Sequence, residues 1–158
     1  TLSKMMDNSN SGEIAFPVTD ENMEKMLANK MLKDFFDNME SDVKKSYKIA
    51  SELHAMERIE GYFALGILYC FGIHIKMDVE KGTILLSKAF IQGYLPASYI
   101  SAIVLGSAGN MQKSKYISLD LINKLAKVGY KPAIDALKES PDGIPEIINL
   151  SYEYLCKY

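Results

Sequence analysis

Asp78-Val79-Glu80-Lys81 and, further on, Gly93-Tyr94-Leu95-Pro96-Ala97 decide how this chain folds, because each has an echo. Asp42-Val43-Lys44-Lys45 precedes the first by 36 residues, and Gly129-Tyr130-Lys131-Pro132-Ala133 follows the second by 36. Equal offsets mean that no insertion separates the copies. A fixed period of this size marks stacked units, each burying a face only against its neighbour. Such a chain is expected to act through a displayed surface rather than a reaction centre.

The same offset pairs Gly66 with Ala102 and Gly72 with Ala108, small residues suited to close backbone approach. It also aligns Leu85 with Ile49 and Leu121, and Leu86 with Ala50 and Ile122, the rows of a shared core. Gly93 and Gly129 stand where a helix must end in a left-handed conformation. Met23, Met26, Leu27, Met31, Leu32, Phe35 and Phe36 recur at helical steps behind a Thr19 or Asp20 cap, and the methionines of this stretch are expected in the core. Asp42 opens a second helix through Leu53. Ile59 to Phe71 is a third, apolar almost all round and therefore central. Asp78 caps a fourth, running to about Gln92. Ala97–Gly106, Lys115–Val128 and Pro132–Glu139 follow, with turn material at Gly109-Asn110 and Ser140-Pro141-Asp142-Gly143. Pro145 is expected to open a last helix reaching about Cys156. Nothing alternates with period two, so the chain is predicted all-α, with about seven or eight helices. Residues 1–18, polar except for Ile14-Ala15-Phe16-Pro17-Val18, read as a flexible lead-in whose apolar patch folds back onto the body.

Composition sets the outer bounds. The 158 residues are 48% apolar and 24% charged, ordinary for one folded domain. A formal charge of −2 supplies no basic footprint, so nucleic-acid binding is disfavoured. Cys70 and Cys156 lack CxxC spacing, and only His54 and His74 could help them hold zinc. Free thiols and no metal are expected. The longest apolar run, Tyr62 to Ile73, is too short to span a membrane. No secretory leader is visible; a first residue of Thr1 is compatible with a removed start, so cytoplasm and periplasm both stay open.

Ala64-Leu65-Gly66-Ile67-Leu68-Tyr69-Cys70-Phe71-Gly72, then Asp78-Val79-Glu80-Lys81-Gly82, then Ser87-Lys88-Ala89-Phe90-Ile91-Gln92-Gly93 resembles a Sel1-like repeat of the bacterial, tetratricopeptide-like family. Gly82 and Phe90 depart from it, where alanine is usual. By this resemblance residues 19–158 divide into a degenerate repeat (19–58), a clear one (59–95), a second (96–131) and a truncated carboxyl-terminal pair (132–158). The degenerate copy has a compressed turn, and Lys30 stands where the glycine should be. The resemblance implies a short right-handed α-solenoid of antiparallel helix pairs that serves as an adaptor for other proteins.

In such arrays the first helix of each pair lines the concave face. The resemblance therefore implies an exposed inner row of Glu60, Phe63, Ile67, Cys70 and Phe71, continued by Tyr99, Ile103 and Ser107. Asp34 would flank it on one side, and Asp135 and Glu139 on the other. An apolar, aromatic centre with a charged rim is how protein-binding surfaces are built. The residues alone leave two readings of Phe63, Ile67, Phe71 and Tyr99 open: anchors for a partner, or core, in a central helix or beneath the Ile14–Val18 patch.

No GxxxxGK[ST], GxGxxG, HExxH or GxSxG motif occurs. Cys70 with His74 would need a base held close and an oxyanion hole, and nothing marks either. The expectation is a non-enzymatic module without cofactor, a monomer or weak homo-oligomer. It would bind and neutralise, or scaffold, one specific protein; the preferred form is an immunity-type inhibitor of a toxin or effector encoded nearby. The alternative is an assembly adaptor, or a piece of a longer solenoid, in a bacterial envelope or secretion complex.

Overall fold

The computed structural model describes residues 19–108 and 112–157. The lead-in 1–18 with its Ile14–Val18 patch, and the Gly109-Asn110 turn, lie outside them. Among the described residues the chain is all-α, with eight helices and no strand: α1 Asp20–Asp37, α2 Val43–Ala55, α3 Ile59–Phe71, α4 Val79–Phe90, α5 Leu95–Ala108, α6 Gln112–Lys127, α7 Lys131–Glu139 and α8 Tyr152–Leu155.

Helix starts follow local chemistry. The first amide groups of a helix lack intrahelical partners, and a side-chain oxygen can accept from them. Thr19 Oγ accepts from Asn22 N at 3.1 Å. The echoing aspartates act alike: Asp42 Oδ1 accepts from Lys45 N at 3.2 Å and Asp78 Oδ1 from Lys81 N at 3.0 Å. Helix ends echo too. Gly93 and Gly129 take φ of +85° and +88°, and Glu57, at the same place in the first unit, takes +56°.

Consecutive helices from α1 to α7 pack as neighbours, and α1 also touches α3 and α3 touches α5. This is a repeat-like stack of helix pairs. Phe63, Ala64, Ile67, Leu68, Leu86, Ile100 and Ile122 are wholly or almost wholly buried in one continuous core. Full burial of such side chains is worth about 1.5–3 kcal/mol each, so units that are marginal alone become stable together.

The joint within each pair is built at positions 46, 82 and 118, spaced by the period. Ser46 Oγ donates to Phe35 O at 2.7 Å, and Ser118 Oγ donates to Ala102 O at 2.6 Å. Gly82 lies against Gly66 O and Cys70, where a Cβ would sit 2.9 Å from that oxygen and 2.4 Å from the Cys70 sulfur. This is why Gly82 replaces alanine. The first unit corrects the sequence alignment. Eleven residues separate Phe35 from Ser46 but sixteen separate Ala102 from Ser118, so the carbonyl of Phe35, not Lys30, takes the place of Gly66.

Three further expectations are corrected. Met31 and Met39 pack on the core, but Met23, Met26 and Leu27 on α1 are exposed. Gly72 serves a left-handed helix end (φ +63°) rather than a close helix crossing. The helix expected from Pro145 to Cys156 is only the single turn α8, capped by Ser151 Oγ, which accepts from Tyr154 N at 3.2 Å. Residues 141–150 are not helical. Two prolines, a glycine and three isoleucines lower the helix propensity of this stretch, and burial against the stack outweighs forming more turns.

Candidate functional site

The odd-numbered helices form one face, and residues 141–157 lie across it. Gly143, at φ +73°, turns the chain beside Ile122 and Leu137. Ile144 then abuts Gly106 of α5. Pro145, Ile147 and Asn149 pass Tyr99 and α7, and Ile147 to Ser151 pass Phe36 and Met39 at the end of α1. Finally α8 packs back on α1. The last element of the chain thus returns to the first.

Two echoing tyrosines hold this segment. The hydroxyl of buried Tyr130 donates to Leu155 O at 2.7 Å, and that of Tyr94 lies 3.6 Å from Cys156 Sγ. Each also meets an aromatic ring 31 residues earlier edge-on: Phe63 with Tyr94 at 5.2 Å, Tyr99 with Tyr130 at 5.6 Å. At the same position of the first unit, Arg58 instead pairs with Glu60 at 2.8 Å and Glu24 at 3.8 Å.

This arrangement changes the expected inner row. Glu60, Phe63, Ile67, Cys70, Tyr99 and Ile103 are buried, Phe71 is half-buried, and only Ser107 is exposed. The row is not an open surface, because the chain's own carboxyl-terminal segment and the neighbouring helices cover it. Asp34 is half-buried at one side. Asp135 and Glu139 do come together at the other, against Tyr99 and Tyr154. Asp135 is engaged: Tyr154 donates to it at 2.8 Å and Lys131 at 3.4 Å. The Tyr154 bond, with help from Lys131, holds that carboxyl below its usual range. Burial, then the hydrogen bond to Asp135 and its negative charge, pushes the Tyr154 hydroxyl up. Burial pushes Tyr99 up to about 12, with the charges of Glu139 and Asp135 adding to it. Glu139 stays exposed.

The thiols are both free. Burial pushes Cys70 up to about 11 and Cys156 up to about 12, so both are protonated at neutral pH and poor nucleophiles. The Cys70 sulfur faces Gly82 on α4, whereas the His74 ring lies 5.4 Å from that of Tyr47. No group of three or more His, Cys, Asp or Glu among the described residues could hold a metal ion, and no described helix is long and apolar enough to cross a membrane.

Tyr94, Tyr130, Ile147 and Tyr154 were not singled out as site residues from sequence. Tyr94 and Tyr130 carried a signal, since each follows an echoing glycine. Ile147 and Tyr154 carried none, because their place depends on where the segment returns. Three cavities of about 540, 740 and 270 Å³ flank the segment, and Ile147 lines all of them. No protein-family model, curated protein or solved structure matches the chain.

Proposed function

We propose that this is a non-enzymatic protein-interaction module of Sel1-like type, which binds and neutralises one specific partner protein as an immunity-type inhibitor does. The observation that carries this is the cleft beside residues 144–150: an apolar centre on a rigid helical stack, rimmed by Glu40, Glu139 and Glu146. Such a surface combines desolvated anchors with charges that steer a basic partner. Protonated thiols and the separation of Cys70 from a histidine support the non-enzymatic part. A Cys70→Ala variant is expected to keep every activity of the native protein.

The test is co-expression with the product of the adjacent gene, followed by size-exclusion chromatography and light scattering. A one-to-one complex is expected. If neither that protein nor any other from the source cell forms a stoichiometric complex with the purified chain, the proposal fails.

A second reading, an assembly module, is favoured by one feature. Met26 is 60% exposed and Leu27 52%, side by side on the first helix of the stack. It predicts an oligomer that grows with concentration and is abolished by Met26→Lys; a monomer at high concentration removes it.

A further inference from the structure

We infer that residues 144–150, with the ends of α1 and α7, form a docking cleft for an extended partner segment that alternates basic and apolar residues. This rests on the protein-interaction reading and specifies what the partner presents.

The first observation concerns the backbone. Among the described residues, the N–H groups of Glu146 to Leu150 donate no hydrogen bond and the carbonyls of Ile144 to Leu150 accept none. The next bonded group on the amino-terminal side is Ile144 N, held by Asp142 Oδ1 at 3.0 Å. On the carboxyl-terminal side it is Ser151, whose hydroxyl and carbonyl cap α8. The stretch is therefore pinned at both ends and unpaired between them. A run of unpaired donors and acceptors is what an added extended chain satisfies.

The second observation is shape. Ile147 is 86% exposed and stands as a partition between the three cavities, while Ile148 and Leu150 turn inward. A segment laid along this stretch would place alternate side chains beside Ile147 and the others outward.

The third observation is charge. Asp37, Glu40, Asp135, Glu139 and Glu146 line the cavities, and among the described residues no lysine or arginine lines any of them. Asp37 and Asp135 are paired with Lys33 and Lys131. Glu40, Glu139 and Glu146 make no ion pair among the described residues, so cationic side chains on the incoming segment find carboxylates within the cleft. The same charges argue against a second copy of this chain as occupant. Its corresponding stretch, Ile144-Pro145-Glu146-Ile147-Ile148-Asn149-Leu150, would bring another carboxylate to Glu139 and no cation.

The experiment uses the full chain and a fluorescent eight-residue peptide of alternating lysine and isoleucine, read by anisotropy. Glutamate–isoleucine and lysine–serine peptides serve as controls. The lysine–isoleucine peptide is expected to bind and to weaken about tenfold or more when salt is raised to about 0.5 M. Glu139→Lys with Glu146→Lys, and separately Ile147→Asp, should each weaken it about tenfold or more; all three sites are exposed, so the fold is preserved. Lys44→Glu with Lys48→Glu on α2 should change nothing. Amide exchange should be fast at 146–150 in the free protein and slow there with peptide.

Absence of binding, equal binding of either control peptide, or protection elsewhere would overturn the inference. A concentration-dependent dimer that Ile147→Asp abolishes would assign the cleft to a second copy and also overturn it. The cellular partner separates the two claims. A stoichiometric complex indifferent to Glu139→Lys with Glu146→Lys sinks the cleft but leaves the interaction function standing, whereas lack of any partner sinks the function itself.

Discussion

Glu57, Gly93 and Gly129 occupy one position in three successive units, and all have positive φ. A Cβ at Gly93 or Gly129 would meet nothing within 4 Å, so any cost of substitution there is conformational. Gly93→Ala and Gly129→Ala should each lose about 1 kcal/mol in chemical denaturation, because a left-handed conformation disfavours any side chain. Glu57→Gly should gain about 0.5–1 kcal/mol for the same reason, less the entropy glycine adds to the unfolded chain. A loss there would show that Glu57 is held by something other than its backbone conformation. Gly82 is different. A Cβ would sit 2.8 Å from Cys70 N as well as against its sulfur, so Gly82→Ala should cost about 2 kcal/mol or more, and trimming Cys70 to alanine should not restore it.

At the scale of the element, the carboxyl-terminal segment is held by few bonds, and one of them joins two titrating groups, Tyr154 of the segment and Asp135 of α7. The carboxyl of Asp135 is depressed by Tyr154, so its stabilising contribution is complete above the unfolded value of 3.8 and is lost as pH falls through the lower folded value. The hydroxyl of Tyr154 is raised, so its contribution is complete below 10.0 and is lost as pH rises through the higher folded value. Denaturant midpoints should therefore fall at both extremes, and Tyr154→Phe should flatten both limbs. Unchanged limbs in that variant would place the titrating groups elsewhere. Tyr130→Phe should cost about 1 kcal/mol, or somewhat more, since Leu155 O then loses its buried donor.

For the whole molecule, the contact of α8 with α1 closes an open stack. Leu155 is fully buried and sits at that closure. Leu155→Ala should cost about 2–5 kcal/mol, the range for a large core side chain cut to alanine. Removing residues 141–157 should do more, exposing the aromatic row of Phe63, Tyr99 and Tyr130 and producing strong binding of a hydrophobic dye. A truncated chain that unfolds with native cooperativity would mean that closure is incidental. The inner row illustrates why such closure is hard to read from sequence. Phe63, Ile67, Tyr99 and Ile103 have the residue types of an interface and of a core alike. Burial was decided by neighbouring helices, as Phe36 and Tyr94 meet Phe63, and for Tyr99 also by Pro145, Ile147 and Asn149, more than forty residues downstream, through contacts that carry no local period.

Local sequence alone sets the all-α class, the 36-residue period, the aspartate caps, the glycine ends and the core rows through Leu85 and Leu86. These are local effects: helix caps, left-handed glycines and apolar spacing act over a few residues and then repeat. Packing, in contrast, sets Phe35 and not Lys30 against the second helix of the first unit, since a compressed turn is visible in the sequence but the register it produces depends on how the two helices meet. Packing also decides that residues 141–150 stay non-helical and cross the odd-numbered helices. That choice is set by competition between weak local helix propensity and apolar surface buried against distant partners, and those partners are known only once the stack exists.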